Sequence, residues 1–426
     1  MNRAAAMLRE EIAPEVLRAC DAGEALSRFA DRLPGEPHGL VLLAMGKGSS
    51  AMAATGLRLW GERVARGLVV TRAEHVQDTE RAGGRVEVLA ADHPIPSLRN
   101  VEAAHAVERF VGEAGGHERL VVLLSGGASA QLSAPREPLA LDDMAGLTEA
   151  LLRSGATINE INCVRKHCER VKGGQLARVR VGGATSVFVL SDVLGDPLDV
   201  ISSGPLAPDP TTFSDAVRVM ERHGLGGDHA DVMALLRRGV RGEEIETPKP
   251  GDRVFASVEH HVVASNVLAV EAACEALRRR GLRIVGVEQR VQGEAGVVGA
   301  RLGEVVRGLP TGAAVVWGGE STVHVGASHG KGGRNQELAV AAATVIEGVP
   351  GAAVMSLATD GVDGPTDAAG GVVDGQSVAR MRANGVDPEE ALRNHDSYPA
   401  LEACGGLLRT GASGTNVNDV MVGVRH

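Results

Sequence analysis

The feature that most constrains this chain is a repeated punctuation. Short Val/Leu-rich runs, each long enough for one strand, stop in loops of Gly, Ser and Asp, and helix-patterned segments follow most of them. Strand-sized runs fall at 40–44, 67–71, 86–90, 120–124, 186–190, 261–264, 283–288, 313–317, 354–358 and 419–424. Helical periodicity covers 49–62, 100–114, 142–154, 158–178, 215–223, 267–280, 295–308 and 335–347. Strands that are apolar on both faces and alternate with helices predict parallel or mixed sheets covered by helices, so the class is α/β throughout. A length of 426 residues suits two domains. The charged, aperiodic stretch 237–253, with two prolines, is the predicted boundary, giving domains 1–245 and 246–426.

Composition removes several function classes. A net charge of −10 and the lack of any basic run interleaved with aromatics argue against a nucleic-acid partner. No apolar run reaches membrane-spanning length, and the start of the chain reads as an amphipathic helix without a secretory pattern. None of the five cysteines forms a CxxC pair, which fits a reducing cytoplasm. A homodimer is compatible with the sequence.

The chemistry sits where strands end. LVLLA runs into MGKGSS, LVVLL into SGGASA, SVFVL into SDVLGDPLDVISSGP, AAVVW into GGEST, and VMSLA into TDGVDGPTDAAGG. Ligands of open α/β sheets bind beyond the carboxyl ends of the strands. The segment HGKGGRNQELAV, residues 329–340, places Lys331, Arg334 and two glycines ahead of a helix, an expected anion site built on free first-turn N–H groups. Only five lysines occur, and Lys47, Lys172 and Lys331 each adjoin a glycine. MGKGSS is not a Walker loop, because Val41 and Gly48 stand where Gly and Ser or Thr are needed, and no GxGxxG follows a strand.

Asp192 and Asp360 each follow an apolar strand, and Glu320 closes a third. Carboxylates there are costly unless paired or solvated, so the three suggest a magnesium or general-base cluster. Asp196, Asp199, Asp363 and Asp367 read as turn formers, and Arg165, Lys166 and His167 as a solvated helix face. Asp92 and His93, in a proline turn, divide evenly between turn and substrate contact. The loop 410–420 is a further glycine-rich candidate through Ser413, Thr415 and Asn416. Such a set suits phosphoryl transfer, which asks for positioning and charge neutralisation.

In order, GKGSSAMA, DHPIPS, LLSGGASAQL, VRKHCERVKGGQLA, LSDVLGDPLDVISSGPLAPDPTTF, GGESTVHV, GKGGRNQELA, ATDGVDGPTDAAG and TNVNDVMV resemble the class II glycerate kinases. This is the family with a MOFRL C-terminal domain, often labelled hydroxypyruvate reductase. The resemblance runs nearly end to end. It implies ATP-dependent phosphorylation of D-glycerate to 2-phosphoglycerate with Mg²⁺. It also implies an N-terminal Rossmann-like three-layer sandwich, a C-terminal MOFRL-type α/β domain, and an active site in the cleft between them. The family's basic pair falls on Lys47 and Arg334. Asp192 is the expected base, with Glu320 and Asp360 the expected metal ligands, although these three carboxylates are interchangeable at this stage. Gly46, Ser49, Ser125, Gly126, Gly127, Ala128, Lys331, Asn335, Glu337 and Asn416 are the expected substrate and nucleotide contacts. The rival is an NAD(P)H-dependent hydroxypyruvate reductase, which the missing GxGxxG disfavours. A non-catalytic metabolite sensor would not need the three carboxylates.

Overall fold

The computed structural model describes residues 1–33, 39–73, 85–92, 96–180, 182–326 and 329–426. The motif DHPIPS is only partly included, and His93 lies outside the described residues. Two compact units result. One comprises Leu26–Leu190 and Asp196–Val263, and the other Met1–Ala25, Ser191–Gly195 and Ala264–His426. Both are α/β.

The first unit holds β1 (Leu40–Met45), β2 (Val64–Thr71), β3 (Val86–Ala90), β4 (Arg119–Ser125), β5 (Thr185–Leu190) and β6 (Val258–Ala264). They are ordered β3-β2-β1-β4-β5-β6, with β1 to β5 mutually parallel. This is the strand order of dinucleotide-binding folds, and the order reverses between β1 and β4. Every residue of β1 and β5 is buried, as helices on both faces require.

One predicted helix differs. Instead of a single helix over 158–178, Ile158–Cys168 and Gln175–Val179 flank a break. Gly173 and Gly174 sit there at φ 58° and 79°, left-handed backbone that glycine tolerates best. The predicted boundary region 237–253 does not divide the units. Helix Ala230–Val240 runs into it, Arg238 binds Glu244 at 2.9 Å, and the Thr247 hydroxyl donates to Asp209 at 2.9 Å.

The second unit holds β7 (Arg283–Glu294), β8 (Ala313–Thr322), β9 (Ala352–Ala358), β10 (Gly370–Asp374), β11 (Leu407–Leu408) and β12 (Asp419–Arg425). Their order is β11-β10-β9-β12-β8-β7, with only β7 and β8 parallel. β10 and β11, which the sequence did not mark, are short and reach strand status through their neighbours.

Helices Ala295–Gly308 and Arg334–Val345 pack closely. A Cβ on Gly299 would lie 2.2 Å from the Leu338 carbonyl oxygen, so glycine there lets the backbones meet. Helix Arg334–Val345 is buried from Asn335 through Ala343, polar first turn included. The N-terminal helical segment belongs to this unit. The Asn2 N–H donates to Asp374 at 2.6 Å, and Arg280 binds Glu15 at 2.7 Å. All five cysteines are free and buried, and burial pushes the Cys163 thiol up to about 11. Among the described residues, no helix is long and apolar enough to cross a membrane.

Candidate functional site

In the parallel-sheet unit the loops after β1 and β4 are stitched together at the switch point. Gly46 N–H donates to Gln131 Oε1, Lys47 N–H to the Gly126 carbonyl, and Gly48 N–H to Ser125 Oγ, each at 2.9 Å. Gly46 has φ 110°, and a Cβ on it would lie 2.3 Å from the Ser125 carbonyl oxygen. Several expected contacts are therefore structural. Gly46 and Ser125 lock the loops to each other. Ser49 is fully buried and donates its hydroxyl to the Val70 carbonyl at 2.9 Å. Gly127, at φ 90°, turns the chain from Gly126 into the four-residue helix that starts at Ala128.

Lys47 remains. It is exposed, and its ammonium enters no ion pair among the described residues. It lies two residues before helix Ser49–Trp60, whose N-cap, Gly48, offers no side-chain cap. The first N–H of that helix, on Ser49, is taken by the Gly46 carbonyl at 3.2 Å, so what this turn presents outward is the helix dipole and the Lys47 cation.

The loop after β5 returns onto this place, and the sequence reading missed its weight. Ser202, Ser203 and Gly204 are consecutively left-handed, at φ 51°, 59° and 57°. For a non-glycine residue that costs roughly 1–2 kcal/mol. The turn is fixed by Ser202 Oγ on the Ser125 carbonyl and by Ser203 Oγ on Ser129 Oγ, both at 2.8 Å. The expected solvated face of Arg165, Lys166 and His167 is instead inward. Lys166, only 2% exposed, lies between Asp199 at 3.2 Å and Asp209 at 3.3 Å, and His167 binds Glu246 at 2.9 Å. Arg165 donates to the Ser129 carbonyl at 3.1 Å. A mid-helix triplet of charges gives no sign of the loops that will cover it.

The mixed-sheet unit carries a cleft of about 470 Å³ whose lining includes Glu320, Thr322, His329, Arg334, Glu337 and His395. Arg334 opens its helix and binds Asp419 twice, Nε to Oδ2 at 2.6 Å and Nη2 to Oδ1 at 2.9 Å, while Nη1 lies 3.3 Å from Glu320. Burial works against the Arg334 cation, but Asp419 and then Glu320 hold its pKa above the ordinary value. Glu337 accepts from His395 at 2.9 Å, and burial raises its pKa.

The helix start itself is not free, which corrects the sequence expectation. Asp363 accepts from the N–H groups of Asn335 at 3.1 Å and Gln336 at 2.8 Å, and from both of their side-chain amides. A carboxylate already occupies the place of an incoming anion. Asn335 is fully buried and accepts from Ser356 Oγ at 2.6 Å, so it too is structural. Gly332 and Gly333 serve close approach. A Cβ on Gly332 would meet Ser397 Oγ at 2.1 Å, and one on Gly333 would meet Asp363 Cγ at 2.4 Å. Lys331 turns its ammonium to the Tyr398 ring, 3.8 Å from the centroid.

Of the expected metal ligands, Glu320 reaches Arg334 and accepts from Asn418 Nδ2 at 3.1 Å. Asp360 Oδ1 accepts from Val362 N–H at 3.1 Å, as a turn former does. Among the described residues no group of three His, Cys, Asp or Glu side chains is placed to hold a metal ion. Asp192 is half-buried just past β5 and groups with this unit. Asn416 Oδ1 accepts from Asn418 N–H at 3.0 Å, shaping its own loop. Sequence reasoning missed Asp419, His395 and Asn418. Asp419 stood just before an apolar run, a carboxylate at a strand boundary like Asp192 and Asp360, and could have been found on that signal.

Two family models match the chain: a domain of unknown function, DUF4147, over residues 8–237, and the MOFRL family over residues 313–419. The chain is 38% identical over 392 residues to a D-glycerate 2-kinase of Thermotoga maritima, covering 90% of each. It is 38% identical over 399 residues to a putative hydroxypyruvate reductase of Agrobacterium vitis, covering 92% of this chain and 88% of that one. A crystal structure described as glycerate kinase (EC 2.7.1.31) from Thermotoga maritima superposes with a TM-score of 0.90 at 36% identity over 99% of both chains.

Proposed function

The chain belongs to the glycerate kinase family with a MOFRL module, and from that premise we propose that it transfers the γ-phosphoryl group of ATP to D-glycerate, giving 2-phosphoglycerate. The observation that carries the reading is the switch point of the parallel sheet, where exposed Lys47 lies beside the start of a helix whose N-cap, Gly48, carries no side chain. A cation and a helix dipole acting together favour a phosphate at such a place. The relatives supply the acceptor. The 2-position is supported by the name of the Thermotoga relative, whereas the class number of the solved structure is that of the 3-phosphoglycerate reaction.

Lys47 and Arg334 neutralise charge on the transferred group, and Asp192 takes the proton of the glycerate hydroxyl. Mg²⁺ neutralises phosphate oxygens when bound. Glu320 and Asp360 do not make a cage for a lone ion, but an ion carried by nucleotide phosphates needs only one or two protein carboxylates. They suit that role, Asp360 through its second oxygen. The two family matches, 8–237 and 313–419, fit within the sequence modules 1–245 and 246–426, whereas the compact units place Met1–Ala25 with the mixed sheet and 246–263 with the parallel one.

Phosphorus NMR with ATP, Mg²⁺ and D-glycerate tests the reading. A 2-phosphoglycerate signal growing as ATP falls is expected. A 3-phosphoglycerate signal keeps the kinase and moves the attacking hydroxyl. Folded protein giving neither, but oxidising NADH with hydroxypyruvate, discards the kinase.

A further inference from the structure

Arg334 and Glu320 line the cleft of the mixed-sheet unit, and the residues that hold them come from the start of β12 behind it. The Asp419 side chain has no exposure, against 30% for that of Arg334. Its two oxygens take the whole Nε/Nη2 edge of the guanidinium, at 2.6 and 2.9 Å. This bidentate fork fixes both direction and plane. Only Nη1 is left toward Glu320 and the cleft, 3.3 Å from Oε1. The next residue back, Asn418, sits at φ 65° and donates to the other Glu320 oxygen at 3.1 Å. β12 is paired on both sides, with Asp419 opposite Gly319 of β8 and Ala358 of β9, so the platform is stiff.

A buried carboxylate directly behind a working cation is a poor arrangement if charge alone matters, because it weakens the field the cation presents. Buried ion pairs are also weak contributors to stability compared with apolar packing. The arrangement makes sense as orientation, since a cation that need not rotate during the reaction stabilises charge without a reorganisation cost.

We infer that Asp419 is a positioning residue. It fixes the guanidinium plane of Arg334 so that Nη1 meets the transferred phosphoryl group, while Asn418 holds Glu320 in register beside it. The inference rests on the role given to Arg334 above, and it extends that site to two residues that do not line the cleft.

The test compares kcat and KM for Asp419→Asn, Arg334→Lys and Arg334→Ala, with folding followed by circular dichroism. Asp419→Asn is expected to lower kcat roughly 10- to 100-fold with KM for ATP nearly unchanged, the signature of an interaction made only in the transition state. Arg334→Lys retains the charge but not the fork, and should fall as far. Millimolar guanidinium, well below denaturing levels, should restore part of the turnover of Arg334→Ala. It should not restore the double variant Arg334→Ala/Asp419→Asn, which lacks the carboxylate that would hold the free cation. Wild-type turnover in Arg334→Ala removes the premise and the inference together. Loss in Arg334→Ala with wild-type kcat in both Asp419→Asn and Arg334→Lys overturns the positioning role alone. If Asp419→Asn does not fold, Arg334→Lys decides by the same criterion.

Discussion

The two units present the same motif, a glycine turn with a basic residue ahead of a helix, and resolve it in opposite ways. In the parallel-sheet unit the helix Ser49–Trp60 starts without a side-chain cap, and Lys47 beside it has no ion-pair partner among the described residues. In the mixed-sheet unit the helix Arg334–Val345 has its start closed by Asp363, and its arginine is bound by Asp419. One keeps an exposed cation beside a helix dipole, with the N–H groups of its loop spent on neighbouring backbone and Ser125. The other has given its backbone donors to the fold and presents a fixed guanidinium. A glycine-rich loop followed by a helix is thus not evidence for a phosphate cradle until the first-turn N–H groups are accounted for.

The largest effect should come from removing the two cations. Lys47→Ala and Arg334→Ala are each expected to reduce kcat by roughly two orders of magnitude or more, the scale of losing a transition-state charge partner. Steady-state kinetics on both variants checks this. A large loss in one with wild-type turnover in the other would break the comparison, leaving phosphate handling to a single unit.

Next in size is the closed helix end. Asp363→Ala leaves the Asn335 and Gln336 donors without their partner and should cost on the order of 3 kcal/mol, each stranded buried group costing about 1–3 kcal/mol. It should also create what the wild type lacks there, so inorganic phosphate is expected to raise the Tm of the variant more than that of the wild type. Equal phosphate shifts would mean that the carboxylate is not what excludes an anion.

The smallest effect is a control within the parallel-sheet unit. Helix Ile158–Cys168 closes its own start, with Thr157 N–H on Glu160 at 2.9 Å and Glu160 N–H on the Thr157 hydroxyl at 3.3 Å. The Thr157 N–H, then its hydroxyl and Arg222, hold the Glu160 carboxyl at about 2, below its ordinary 4.5. A folded pKa below the unfolded one gives stabilisation that is complete above about 4.5 and lost as pH falls toward about 2. Glu160→Gln should therefore flatten the acid limb of a Tm-against-pH curve in that window and leave neutral-pH activity alone. Parallel acid limbs would remove Glu160 from the acid response.

Fold class and the ten principal strands were legible because apolar runs and glycine stops are local signals, and the family through the resemblance of nine ordered motifs. The break at Gly173 and Gly174 was written in the sequence as VKGG, but a pattern of apolar spacing runs straight across it. β11 is two residues long and exists only by pairing with β10. At the site, Lys47 and Arg334 stood out by residue type. Asn335 and Ser49 looked like ligands because a polar residue at a helix start does so in either case, and only burial separates them. Asp363 seals a helix whose first turn lies 28 residues before it in the chain, and Ser202 grips Ser125 from 77 residues away. Such partnerships have no local signature.

The position of β12 has a consequence for the order of assembly. Among the described residues it is the last of twelve strands, yet it lies inside its sheet, between β9 and β8. On a ribosome, where segments emerge in sequence, the first unit can close over its own six strands while the second waits. Met1–Ala25, which precede the whole first unit in the chain, belong to that waiting unit. The helices of Met1–Ala25 thus emerge well before their final neighbours, and the carboxylate that aims Arg334 arrives with the strand that completes the sheet.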